Sequence, residues 1–157
     1  MCGILFSNDP TLSNNKFSKA LNLMDHRGPD YSKCFFFNQF KLGHNRLAIQ
    51  DLNKRSNQPF RIGDFNIIFN GEIYNFKELK KEENLKTQTS SDTEILLLLF
   101  IKYGKKCLKK LNGMFSYIFF NNKTKKFFVA RDRLGIKPLY YWTDDKNYIF
   151  SSEIAPI

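Results

Sequence analysis

The second residue is Cys2, directly behind Met1 and ahead of Gly3 and the apolar run Ile4-Leu5-Phe6. With Met1 removed, one residue would carry both a thiol and a free α-amine. A terminal amine titrates near about 8 and a free thiol near about 8.5, so at neutral pH some amine is available to take the thiol proton. That is a nucleophile with its own general base. The competing description is a small residue that opens a buried strand, and a lone cysteine does not decide between the two.

Four polar groups interrupt apolar runs elsewhere. Gly43-His44-Asn45-Arg46-Leu47 puts Arg46 in a strand-like stretch. A buried arginine needs an anion from protein or ligand, and its planar fork suits a carboxylate. Asn70-Gly71 has the composition of a hairpin turn, yet an Asn amide beside a Gly N–H also supplies two convergent donors for an oxyanion. Asp92 reads either as a helix cap or as a free carboxylate. His26-Arg27-Gly28-Pro29-Asp30 reads as a turn closed by an internal Arg27–Asp30 pair. A thiol with its base, two oxyanion donors, an arginine and spare carboxylates together fit an amino acid amide. Glutamine is the natural candidate for such a set.

These residues need strands and loops to present them. Cys2 to Ser7 reads as a buried strand, and Ser13 to Met24 as a helix with Phe17, Ala20, Leu21 and Met24 on one face. Tyr31–Phe37 and Phe40–Leu47 form a hairpin, Asp51–Pro59 a polar loop, and Phe65–Phe69 a strand stopped by Asn70-Gly71. A short helix is expected over Asn75–Glu82. Ser91-Asp92-Thr93-Glu94 has capping-box spacing ahead of an apolar helix that ends at Gly104. Met114–Phe120 with Lys126–Arg131, and Leu139–Trp142 with Tyr148–Ser151, give two more hairpins. The fold class is α+β, with stacked antiparallel sheets and helices outside. No repeat or linker divides residues 1–157, which read as one domain.

The chain has 157 residues, is 42% hydrophobic and carries a formal charge of +10. Its lysines are scattered and form no recognition helix or arm, so nucleic acid is not an expected partner. No apolar run approaches the roughly 20 residues of a membrane span, and Asn8-Asp9-Pro10 breaks the apolar start too early for a signal peptide. Cys2, Cys34 and Cys107 are odd in number and show no CxxC pair. No metal site is expected, and a reducing cytoplasm is.

Met1-Cys2-Gly3-Ile4, His26 to Asp30, Gly43 to Ile49, Phe69-Asn70-Gly71-Glu72-Ile73-Tyr74-Asn75 and Ser91 to Glu94 resemble, in order, the motifs of class II glutamine amidotransferase domains. The chain looks most like the glutaminase domain of glutamine-dependent asparagine synthetases. Arg131 to Tyr141 and the closing Phe150-Ser151-Ser152-Glu153-Ile154 extend the likeness to the end. The resemblance implies an N-terminal-nucleophile hydrolase fold, a four-layer αββα sandwich. It also implies Cys2 as nucleophile, Asn70 and Gly71 as oxyanion donors and Arg46 on the α-carboxylate. Asp92 with Glu72 would take the α-ammonium, and Ile49 would lie beside the substrate.

The same resemblance implies a partner, a synthetase domain or subunit that accepts ammonia. ATP and magnesium would belong to that partner. No Ser-Gly-Gly-x-Asp-Ser loop or other Gly-rich phosphate loop occurs here, so the chain is expected to make ammonia and need no cofactor. Either it stops at the junction of a longer chain or it serves a separate partner. Two alternatives stay open: ammonia for another amidation, of a sugar acid or natural product, or a glutamine-sensing module without turnover.

Overall fold

A computed structural model describes residues 1–157. Strand β1 (Gly3–Ser7) is buried along its whole length and lies at the centre of a five-stranded sheet. Its side chains do not alternate apolar with polar because both of its faces are covered. Ile4 and Phe6 point toward a second sheet, while Leu5 packs on Phe17, Leu21 and Met24. Phe17 and Leu21 belong to helix α1 (Asn14–Asn22), capped by the Ser13 hydroxyl, which accepts the Lys16 N–H.

The first sheet continues with β2 (Tyr31–Phe37) and β3 (Phe40–Arg46), a hairpin with Phe37 opposite Phe40. After the intervening chain come β4 (Phe60–Ile62), β5 (Phe65–Ile73), α2 (Phe76–Glu82), α3 (Asp92–Tyr103), β6 (Gly113–Asn121), β7 (Phe127–Arg131), β8 (Tyr140–Thr143) and β9 (Tyr148–Ser151). The sheets run β2-β3-β1-β9-β8 and β4-β5-β6-β7, and every pairing is antiparallel. Between them lies a core of Ile4, Phe6, Phe40, Leu42, Ile68, Ile118 and Phe120. On the far face of the second sheet, Ile67, Phe69 and Tyr117 pack on α3. Helix α3 is apolar around most of its circumference because α2 and the sheet enclose it. The order of layers is α1, sheet, sheet, α2/α3: the αββα sandwich that the resemblance implied.

Three local expectations are corrected. Asn70-Gly71 is not a turn and does not stop the strand: β5 runs through to Ile73, with Asn70 opposite Ser116 and Gly71 opposite Phe115. A Cβ on Gly71 would lie 2.2 Å from the Met114 carbonyl, so glycine here permits close approach of the β6 backbone. Arg27 does not pair with Asp30. A single 3₁₀ turn, Asp25–Arg27, sends the Arg27 side chain inward to Glu153, and Asp30 accepts the Ala48 N–H. Ser91 caps α3, but Glu94 does not complete a capping box. Its carboxylate accepts the N–H groups of Gln88 and Thr89 and so holds the preceding loop. Strand β4 was not anticipated. No helix is long and apolar enough to cross a membrane.

Candidate active site

The ends of β1, β3 and β5, the loop after β3 and the first turn of α3 meet around a cavity of about 150 Å³. Cys2, Arg46, Ile49, Asn70, Gly71, Glu72 and Asp92 all line it. Four stretches that are remote in sequence, around residues 2, 46–49, 70–72 and 92, thus deliver every anticipated site residue to one space.

Cys2 enters from the residue before β1. Its Sγ lies 3.4 Å from the Leu47 nitrogen, an N–H···S contact, and 3.7 Å from the Leu47 carbonyl oxygen. Burial pushes the thiol up from its ordinary value, against the Leu47 N–H and the Arg46 cation, which favour the thiolate. The resting group is therefore a thiol, and a nucleophilic step needs a base. Met1 is peptide-bonded to Cys2 and also lines the cavity. The Arg27 Nε–H donates to the Cys2 carbonyl at 2.9 Å.

Asn70 is 1% exposed, and its Nδ2 has no hydrogen-bond partner in the protein. An unsatisfied buried amide costs roughly 1–3 kcal/mol, so an idle donor here calls for an acceptor from outside the chain. Arg46, 6% exposed, has neutral acceptors only. Its Nη1 donates to the Asn53 carbonyl (3.2 Å) and to Asn57 Oδ1 (2.6 Å), and its Nη2 to the carbonyls of Gln50 and Asp51. Of the two sources of an anion for Arg46, protein or ligand, the protein supplies none: the loop after β3 folds back and turns neutral oxygens onto the guanidinium. The two terminal nitrogens have neutral partners while the charge stays uncompensated.

Asp92 is the first residue of α3 and not its cap, which is Ser91. Its Oδ2 accepts the Ile73 N–H at 3.0 Å. Burial, with the Glu72 charge adding to it, raises its pKa to about 6. Glu72 Oε1 accepts from Gln50 Nε2 at 3.1 Å. Two carboxylates on one partly closed wall favour a cation between them. Ile49 is largely exposed at the rim. No three His, Cys, Asp or Glu side chains come together as metal ligands.

Sequence reasoning missed part of the lining. Gln58 is buried, donates to Thr93 Oγ1 at 3.3 Å and accepts the Phe69 N–H at 2.6 Å, tying the Asp51–Pro59 loop to both α3 and β5. Lys137 is 8% exposed on the cavity wall. It stands inside the Arg131–Tyr141 motif, which was the available signal. Cys34 and Cys107 are free thiols away from the cavity.

The sequence model of the glutamine amidotransferase domain matches residues 1–157. The chain belongs to this family. A relative from Methanocaldococcus jannaschii is 43% identical over 164 residues, which span 91% of this chain and 31% of the relative. Asparagine synthetase [glutamine-hydrolyzing] 3 of Bacillus subtilis is 34% identical across 100% of this chain and 27% of its own length. The chain thus spans about three-tenths of these relatives. Among solved structures, glutamine phosphoribosylpyrophosphate amidotransferase of B. subtilis superimposes with a TM-score of 0.86 at 22% identity, covering 99% of this chain and 42% of that one. At that identity the likeness concerns the fold, and the shared fold is that of an N-terminal-nucleophile hydrolase.

Proposed function

We propose that this glutamine amidotransferase domain hydrolyses glutamine to glutamate and ammonia through a γ-glutamyl thioester on Cys2. The observation that carries the reading is the convergence of a thiol, an idle buried amide, an uncompensated cation and two carboxylates on one cavity. Removal of Met1 is required, since only then does Cys2 carry a free amine. That amine takes the thiol proton as Sγ attacks the side-chain amide carbon of glutamine. Asn70 Nδ2 and the Gly71 N–H receive the oxyanion. The C–N bond then breaks, and ammonia leaves with the proton that the amine held. Water, deprotonated by the same amine, adds to the thioester carbon; the C–S bond then breaks, the amine returns its proton to the Cys2 sulfur, and glutamate is released. Arg46 takes the α-carboxylate, Asp92 and Glu72 the α-ammonium, and Ile49 covers the substrate at the rim.

The ammonia passes to an ATP-dependent synthetase domain or subunit that amidates aspartate. The name of the B. subtilis relative and the share of its length left uncovered support this. This domain itself uses no cofactor; ATP and magnesium belong to the partner. Three free thiols suit a cytoplasmic setting.

The test is Cys2→Ala in chain whose N-terminus has been confirmed by mass spectrometry. Glutamate release from glutamine is expected to vanish while the circular dichroism spectrum and melting temperature are kept. Turnover in that variant would sink the mechanism.

A further inference from the structure

We infer that Glu153 is a positioning residue for Cys2, acting through Arg27; this rests on the reading of Cys2 as nucleophile. The closing Ser151-Ser152-Glu153 segment, for which the chemistry above has no use, clamps the nucleophile's strand. The Ile4 N–H donates to Ser152 Oγ at 3.1 Å, and the Ser152 N–H donates to the Ile4 carbonyl at 3.0 Å. One residue on, Glu153 Oε1 accepts from Arg27 Nη1 at 3.0 Å, and the Arg27 Nε–H holds the Cys2 carbonyl. His26 Nε2 reaches the same Glu153 oxygen at 3.0 Å.

Arg27 is fixed at both ends. Its backbone is pressed on β3, since a Cβ on the adjoining Gly28 would lie 2.3 Å from the Asn45 carbonyl. Its guanidinium is 8% exposed and spans from Glu153 to Cys2. The thiol, by contrast, meets only the long, weak sulfur contacts to Leu47. Holding the carbonyl fixes the Cys2–Gly3 peptide plane. The amine and thiol then keep only rotation about the Cα–C bond and about χ1. Without its carboxylate partner, the Arg27 side chain is free to change rotamer, and the Cys2 plane loses its anchor. Misplacement of a nucleophile by about 1 Å is enough to cost roughly 100-fold in rate.

The experiment compares Glu153→Ala, Glu153→Gln and Arg27→Lys in the full chain. It measures kcat and KM for glutamine, and the rate of Cys2 alkylation by iodoacetamide, followed by peptide mass spectrometry. All rates are normalised to the folded fraction. Glu153→Ala is expected to lower kcat by about 10- to 100-fold with KM within about twofold, and to change the alkylation rate of Cys2. Glu153→Gln, whose amide oxygen still accepts from Arg27, should recover most of both. Arg27→Lys keeps the charge but loses the two-ended fork, and should match Glu153→Ala. Should Glu153→Ala fail to fold, Arg27→Lys against Glu153→Gln carries the comparison. Wild-type kcat and alkylation in Glu153→Ala would overturn the inference. So would a Gln variant as damaged as the Ala variant, which would place the effect on charge and not on the anchor. Absence of turnover in the wild type would sink the glutaminase reading, while the alkylation rates would still decide this one.

Discussion

Replacing Asp92 by Asn is expected to stabilise the fold and to weaken glutamine binding. Asp92 is 5% exposed, and its carboxyl accepts the Ile73 N–H. Burial foremost, and then the Glu72 charge, raise its pKa from 3.8 to about 6. Between those values the folded chain holds a proton that the unfolded chain releases. Stability therefore falls as pH rises through that window and stays lower above it. A shift of about two units corresponds to roughly 3 kcal/mol at ~1.4 kcal/mol per unit, as an upper figure. Asn has the same shape, accepts the same N–H and has no charge to bury. The gain in urea-unfolding free energy near pH 7.5 should be on the order of 1–3 kcal/mol, and it should shrink toward zero near about pH 4. On a Cys2→Ala background, calorimetry should show glutamine affinity reduced by about 10- to 150-fold, the usual loss for a charge-assisted partner. With Asp92 intact, affinity should decline as pH drops through about 6. An Asn variant less stable than wild type near pH 7.5, or a gain that persists near pH 4, would refute the electrostatic argument. Undiminished affinity in the Asn variant would take Asp92 out of the site.

Asn70→Ala removes an amide that no protein group uses, so turnover should fall by about 100- to 1,000-fold with little change in KM; near-normal turnover per folded molecule would end its oxyanion role. Arg46→Lys keeps the charge but not the fork that gathers four loop oxygens. Glutamine affinity should drop by roughly 10- to 150-fold, and limited proteolysis should speed up between Gln50 and Asn57; wild-type affinity would assign Arg46 to the loop alone.

What the sequence disclosed were the features that act over short range. The apolar runs of β1 and β5, the α1 face and the hairpins of β2/β3, β6/β7 and β8/β9 follow from side-chain pattern and turn residues. The misreadings arise where a distant segment decides the outcome. Asn70-Gly71 has turn composition, but nine consecutive β5–β6 register pairs, from Phe65 opposite Asn121 to Ile73 opposite Gly113, carry the strand through it. Arg27 had Asp30 as its near choice and took Glu153, 126 residues away. Cys2, Arg46, Asn70 and Asp92 stood out as polar residues placed against apolar runs, whereas Glu72 and Ile49 came from the resemblance alone. That they share one cavity was not legible, since it depends on how the two sheets face each other.

That facing is also what sets the distance between nucleophile and oxyanion donors. Cys2 stands at the start of a strand in one sheet, and Asn70 and Gly71 lie in the other. What joins the sheets beneath the cavity is the packing of Ile4 and Phe6 on Ile68 and Ile118, together with one polar tie. His44 in β3 is fully buried, and its Nε2 donates to the Phe69 carbonyl at 3.2 Å, one residue before Asn70. Burial pushes its pKa down to about 3, so the ring stays neutral and the tie persists across the pH range in which the Cys2 amine must act as base. The partnerless Asn70 amide lies on β5 of the second sheet, and the Asp92 carboxyl, whose ionisation burial opposes, lies at the start of α3 packed against that sheet, while Cys2 directly precedes β1 of the first. Keeping both groups off β1 lets the apolar core offset the strain of the site without placing them on the strand that must hold Cys2 still.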